Sequence, residues 1–65
     1  MAAFSKRHYI LIADALNSTY EAYEGNRESQ RAVLVVADSI GAALAKDNQA
    51  FQWDRFIHWV KGDKR

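Results

Sequence analysis

Apolar residues recur every three or four positions in two long segments and one short segment, and this spacing predicts helices along the chain. The core face of the first long segment consists of Tyr9, Ile12, Ala13, Leu16, Tyr20 and Tyr23. The core face of the second consists of Val33, Val36, Ala37, Ile40, Ala43 and Leu44. The short segment presents Trp53, Phe56, Ile57 and Val60. Because the connections are short, neighbouring helices should run antiparallel. We therefore predict an all-α domain over residues 1–65, a compact three-helix bundle with two longer antiparallel helices and a short C-terminal helix.

Residues with capping chemistry flank each segment. Ser5 is suited to cap the first helix, and either Asn26 or Ser29 can cap the second. The third helix should begin at Trp53, after the weak N-cap Gln52. Helix ends are predicted at Gly25 (as the C′ residue), Asn48 and Gly62.

Two packing features accompany these boundaries. Phe51 would lie just before the cap of the third helix and Phe56 one turn into it, which is the spacing of a hydrophobic staple. Gly41 costs about 1 kcal/mol relative to alanine inside a helix. Its presence near Ala37 and Ala45 therefore predicts a close approach by another helix.

The chain has more apolar side chains than so small a domain is expected to bury. Apolar residues make up 49% of its 65 residues, and it has no cysteine with which to form disulfides. Small domains without such links often gain stability from oligomerisation. The apolar or small residues that lie off the core faces predict a homo-oligomer interface at Leu11, Ala15, Ala22, Val35 and Ala42. The alternative is that they are scattered surface residues, which are common.

The ends of the chain are basic and its centre is acidic, although the net charge is only +1. Lys6, Arg7 and His8 occupy the predicted first turn of helix one, where the helix dipole is already positive. Free backbone N–H groups and basic side chains together can bind an anion. This turn is either an anion or partner site or a solvated basic turn.

A second cluster combines basic and aromatic residues in the C-terminal segment: Trp53, Arg55, His58, Trp59 and Lys61. Such a mixture can stack on bases and contact phosphates. The alternative is that one tryptophan belongs to the core and the cations form a solvated helix face. Trp59 lies about 100° from the Phe56–Val60 face, so it either covers the core or anchors a partner.

The sequence has no motif typical of an enzyme or a metal site. It contains no phosphate-binding glycine loop, no His-Glu-x-x-His helix and no nucleophile elbow. We therefore predict a non-enzymatic protein with no cofactor and no metal. No apolar run reaches the roughly 18 residues of a membrane span, so we expect no membrane association and a cytoplasmic location.

Several short stretches are similar to those of small uncharacterised helical proteins of tailed phages and prophages. The likeness covers residues 4–57 and is carried by Phe4-Ser5-Lys6-Arg7-His8-Tyr9, Ile12-Ala13, Leu16, Val36-Ala37, Ile40, Leu44-Ala45, Asp47-Asn48, Phe51 and Arg55-Phe56. Those proteins often have an acidic or serine-like cap where Gln52 stands, and the segment from His58 onward also differs. The motifs are structural, so no catalytic residue is implied.

The residues and this resemblance together leave three hypotheses of function. The first is an oligomeric phage accessory protein that binds, inhibits or sequesters a host component, either a host-defence protein or a phosphate-bearing signalling nucleotide. The second is a nucleic-acid-binding regulator with a helix-turn-helix-like bundle, which the near-neutral charge and acidic centre disfavour. The third is a structural or assembly protein of the virion.

Overall fold

Three helices make up the described part of the chain, as predicted. The computed structural model describes residues 5–63, so Phe4, Lys64 and Arg65 lie outside the described part. Helix α1 spans Lys6–Ala22, α2 spans Arg27–Asp47 and α3 spans Trp53–Val60. All three helices pack against one another. The all-α bundle with two long helices and a short third one is therefore confirmed.

The helix starts follow the predicted caps. Ser5 is the N-cap of α1, and its backbone N–H donates to Nδ1 of His8 over 3.0 Å. Of the two cap candidates for α2, Asn26 is the N-cap, because its Oδ1 accepts a hydrogen bond from the backbone N–H of Ser29 at 3.1 Å. Helix α3 begins after Gln52, whose side chain makes no capping hydrogen bond. Each helix therefore begins at a predicted position.

The turn between α1 and α2 depends on Gly25, but not quite as predicted. Helix α1 ends at Ala22 with Tyr23 as the C-cap, so Gly25 lies two residues beyond the cap rather than at C′. Its φ of 90° is in the left-handed region that favours glycine. The backbone N–H of Asn26 then donates to the carbonyl of Tyr23 at 2.8 Å and closes the turn.

Two hydrogen bonds fix the antiparallel arrangement of α1 and α2. Asn48 Nδ2 donates to the hydroxyl of Tyr9 at 2.9 Å, joining the start of α1 to the end of α2. Gln30 Nε2 donates to the carbonyl of Tyr20 at 3.0 Å, joining the opposite ends.

Helix α3 runs in the same direction as α1 and packs along both long helices. The core contains the buried residues Ala13, Val33, Ala37, Leu44, Phe56 and Val60. The Phe51 and Phe56 rings meet edge to face with centroids 5.5 Å apart. The predicted hydrophobic staple therefore forms and fixes the entry into α3.

Gly41 has the close neighbour that its position predicted. A Cβ atom added there would lie 2.5 Å from Nε1 of Trp53. The indole of α3 thus rests on the α2 backbone where only glycine leaves enough room. Trp53 remains 36% exposed, so it covers the edge of the core rather than joining its centre.

Besides Trp53, three further residues of the predicted core faces are exposed, which corrects those faces. Tyr23 is 45% exposed and Val36 is 51% exposed, and Ala43 is also exposed. The eight-residue α3 packs on one side of the α1–α2 pair and leaves the other side uncovered. Conversely, Asn17 is only 3% exposed. Its Nδ2 donates to the carbonyl of Val60 at 2.8 Å, which satisfies a free carbonyl at the end of α3.

Candidate functional site

A groove opens where the first turns of α1 and α3 lie side by side. Its volume is about 440 Å³, which is within the range of small-ligand sites, roughly 300–1,000 Å³. The residues that line it are Lys6, Tyr9, Ile10, Ala13, Asn48, Ala50, Phe51, Gln52, Arg55, Phe56 and Trp59. Within the described part of the chain this lining includes two cations and no acidic residue, so the groove is suited to an anionic group.

The two cations come from the beginnings of two different helices. Lys6 is the first residue of α1, and Arg55 lies in the first turn of α3. Nη1 of Arg55 donates to Oε1 of Gln52 at 3.0 Å, which holds the guanidinium close to the helix start. Because the two helices run in the same direction, the positive ends of both dipoles add to these charges.

The start of α3 also keeps backbone donors for a ligand. The first N–H groups of any helix lack partners within the helix, and the Gln52 side chain does not cap those of α3. Instead this side chain accepts from Arg55. The first turn of α3 therefore combines uncapped N–H groups with the Arg55 guanidinium, a combination that can bind phosphate and carboxylate groups. Asp54 lies in the same turn but is not among the groove residues.

Aromatic rings form the walls of the groove. Tyr9 and Phe51 meet edge to face with centroids 4.7 Å apart. Trp59 is half-buried against the core, and its Nε1 donates to Oδ1 of Asp14 at 2.6 Å. The structure thus answers the question left open for Trp59: it packs on the core, while part of its ring faces the groove. Such rings can stack on the planar part of a ligand.

Comparisons with family models, with curated proteins and with solved structures find no match to this chain. The phage resemblance therefore stays a prediction, and the groove must be interpreted from its own residues.

The groove takes members from both clusters predicted from the sequence. Lys6 comes from the first, and Arg55 and Trp59 come from the second. The other members lie elsewhere or are already used. The His8 ring accepts the Ser5 N–H, and Trp53 rests on Gly41.

Three further predicted site residues, Arg7, His58 and Lys61, are exposed but do not line the groove. They therefore supply charge to the surface near the helices and not to the groove itself.

Eight residues that line the groove were not predicted as site residues. Four of these eight stand out: Tyr9, Asn48, Phe51 and Gln52. Each had been assigned a structural role in the core, the staple or a cap. Their common signal is that all stand next to a helix terminus, but only the packing of α3 beside α1 brings these termini together.

The residues predicted to form an oligomer interface are all exposed. Leu11 and Val35 are each 62% exposed, and their smaller neighbours Ala15, Ala22 and Ala42 are exposed as well. None of them lines the groove, so the two predicted surfaces are separate.

Other site chemistries find little support in the described residues. Within residues 5–63 there is no group of three or more His, Cys, Asp or Glu side chains placed to hold a metal ion. None of the three helices, over the same residues, has the length and apolar character needed to cross a bilayer.

Proposed function

We propose that this chain is an oligomeric, non-enzymatic accessory protein of the phage type, which acts in the host cytoplasm by binding and sequestering a host component. The component that suits the groove best is a phosphate-bearing nucleotide. The similarity to small phage proteins supports the class, and the groove supports the ligand.

One observation carries the choice of ligand: Lys6, Arg55 and the uncapped start of α3 surround a groove with aromatic walls. The cations and N–H groups would hold a phosphate, with the Arg55 fork well suited to pair two of its oxygens. The rings of Tyr9, Phe51 and Trp59 would contact the base or sugar. The groove is also large enough for a nucleotide-sized molecule.

The other hypotheses have weaker support. A host protein would need to insert an acidic side chain into the same groove. The exposed residues around the groove give no reason to prefer such a protein to a small ligand. A nucleic acid would be expected to contact a continuous basic surface, but the net charge of the chain is only +1 and its centre is acidic. A virion role would be contradicted if the protein were absent from purified particles.

The direct test is titration with AMP, ATP and a cyclic dinucleotide, followed by calorimetry and by the fluorescence of Trp59 in a Trp53→Phe variant. We expect saturable binding of at least one nucleotide and a change in Trp59 emission. A Lys6→Gln, Arg55→Gln variant should bind at least about tenfold more weakly, because each charged hydrogen bond contributes about 1.5–3 kcal/mol.

The matched control is an Arg7→Gln, Lys61→Gln variant, which loses the same charge outside the groove. It should bind almost as well as the original chain. Equal weakening by both variants would show that general surface charge, and not the groove, attracts the ligand. If no nucleotide binds, the proposed ligand is wrong, and co-purification from infected cells would then test for a protein partner. Strong retention of DNA that decreases steeply with salt would support the nucleic-acid hypothesis instead.

A further inference from the structure

Helix α2 carries a continuous row of exposed residues on the side away from α3. The row consists of Glu28, Ala32, Val35, Ser39, Ala42 and Lys46, and every one of these residues is exposed. Their separations alternate between four and three positions, which is the spacing of a coiled-coil seam. We call these six residues the α2 seam.

The interior of the seam lacks charge and contains small side chains. Distances between the axes of packed helices are usually roughly 8–10 Å. The small side chains of Ala32, Ser39 and Ala42 would allow a second helix to approach to the lower end of this range. Val35 is the one large apolar residue among them and is 62% exposed. A surface of this kind fits another helix of equally small residues.

The two ends of the seam carry opposite charges and indicate which helix that is. Glu28 lies in the first turn of α2 and Lys46 in the last, about 27 Å apart at 1.5 Å per residue. If two copies of α2 pair antiparallel about a two-fold axis, Glu28 faces Lys46 of the partner subunit, and the reverse pair forms at the other end. In the same register Ala32 faces the partner's Ala42, and Val35 faces the partner's Ser39. A parallel pair would instead place like charges together.

We propose that the chain forms a symmetric homodimer through the α2 seam, with the two α2 helices antiparallel. The seam is complementary to itself, as an isologous two-fold interface requires. Helix α1 has a similar uncharged row that includes Leu11, Ala15 and Ala22, but no charge there selects a partner or an orientation. The α2 seam faces away from α3, so the dimer leaves the groove open and does not depend on the proposed nucleotide.

Sedimentation equilibrium over a wide concentration range tests the dimer. The original chain should approach twice the 7.4 kDa mass of one chain. Val35→Glu should raise the dissociation constant at least about tenfold, because it places an unpaired charge in the seam. Leu11→Glu is the matched control, since Leu11 has the same exposure, and it should dimerise like the original chain. The dimer proposal fails if the original chain is a strict monomer at millimolar concentration, or if Leu11→Glu dissociates the dimer and Val35→Glu does not.

A charge exchange tests the orientation. Both charges also complement the dipole of their own helix, so single variants alone do not separate the two roles. Glu28→Lys should weaken dimerisation several-fold, and Glu28→Lys combined with Lys46→Glu should restore it, because opposite charges again face each other across the seam. Circular dichroism would confirm that each variant is helical. A double variant that dimerises more weakly than either single variant would overturn the antiparallel arrangement.

Discussion

The two sides of the α1–α2 pair differ in how they are built. On the side that packs against α3, specific polar contacts hold the helices, such as Asn17 to Val60 and Trp59 to Asp14. On the opposite side a shallow groove of about 270 Å³ is lined by residues such as Leu16 and Val36. Among residues 5–63, no charged residue lines that groove.

The difference shows how the same two helices can serve two purposes. At about 100° per residue, the formal charges of α1 at Lys6, Arg7, Asp14 and Glu21 all fall within an arc of about 100° on the α3 side. Specific hydrogen bonds there fix one arrangement of the fold and position the groove. The opposite side has small and apolar residues, which are suited to contact between subunits. We therefore expect substitutions on the two sides to have different consequences.

The largest difference in stability should appear between two neighbouring polar residues. Asn17→Ala removes a buried amide that donates to the Val60 carbonyl, so the free energy of unfolding should fall by about 1–3 kcal/mol. Ser18→Ala, on the exposed side, should change it by less than about 0.5 kcal/mol. Urea denaturation of both variants measures this difference. Equal effects would contradict the structural role of Asn17.

A smaller difference is expected between two small residues of α2. Gly41→Ala should destabilise the fold by about 1 kcal/mol, because the added methyl group displaces Trp53 and outweighs the gain in helix propensity. Ser39→Ala, on the exposed side, should stabilise the monomer by a few tenths of a kcal/mol. Thermal melting at low concentration measures both.

A Trp53→Ala background sharpens this second test. Without the indole, Gly41→Ala should become stabilising by up to about 1 kcal/mol, since only helix propensity remains. A Gly41→Ala variant that is destabilising in both backgrounds would show that the indole is not the reason for glycine at this position.

Most of the fold could be predicted from the sequence, because local rules decide it. The caps at Ser5 and Asn26 and the Phe51–Phe56 staple depend only on residues close in the chain. The prediction of the core faces is wrong at Tyr23 and Val36. Periodicity alone does not reveal that α3 is too short to cover both sides of the α1–α2 pair. Asn17 was missed because a polar residue beside the apolar face gives no periodic signal.

The candidate groove was harder to predict than the fold. Sequence spacing grouped Lys6 with Arg7 and His8, which are neighbours in the chain. The structure separates them and places Lys6 beside Arg55, almost fifty positions away. This juxtaposition follows from the parallel packing of α3 and α1. The position of the Trp59 ring likewise depends on its hydrogen bond to Asp14, a partner that no local sequence pattern identifies.

The central claim is that the ligand groove and the α2 seam are separate surfaces that work independently. Titration of the Val35→Glu variant with the nucleotide that binds the original chain tests it most directly, with the mass measured in the same samples. We predict a monomer whose affinity for the nucleotide is within about twofold of the original, because the groove is formed within one chain. A monomer that has lost nucleotide binding by tenfold or more would contradict the claim.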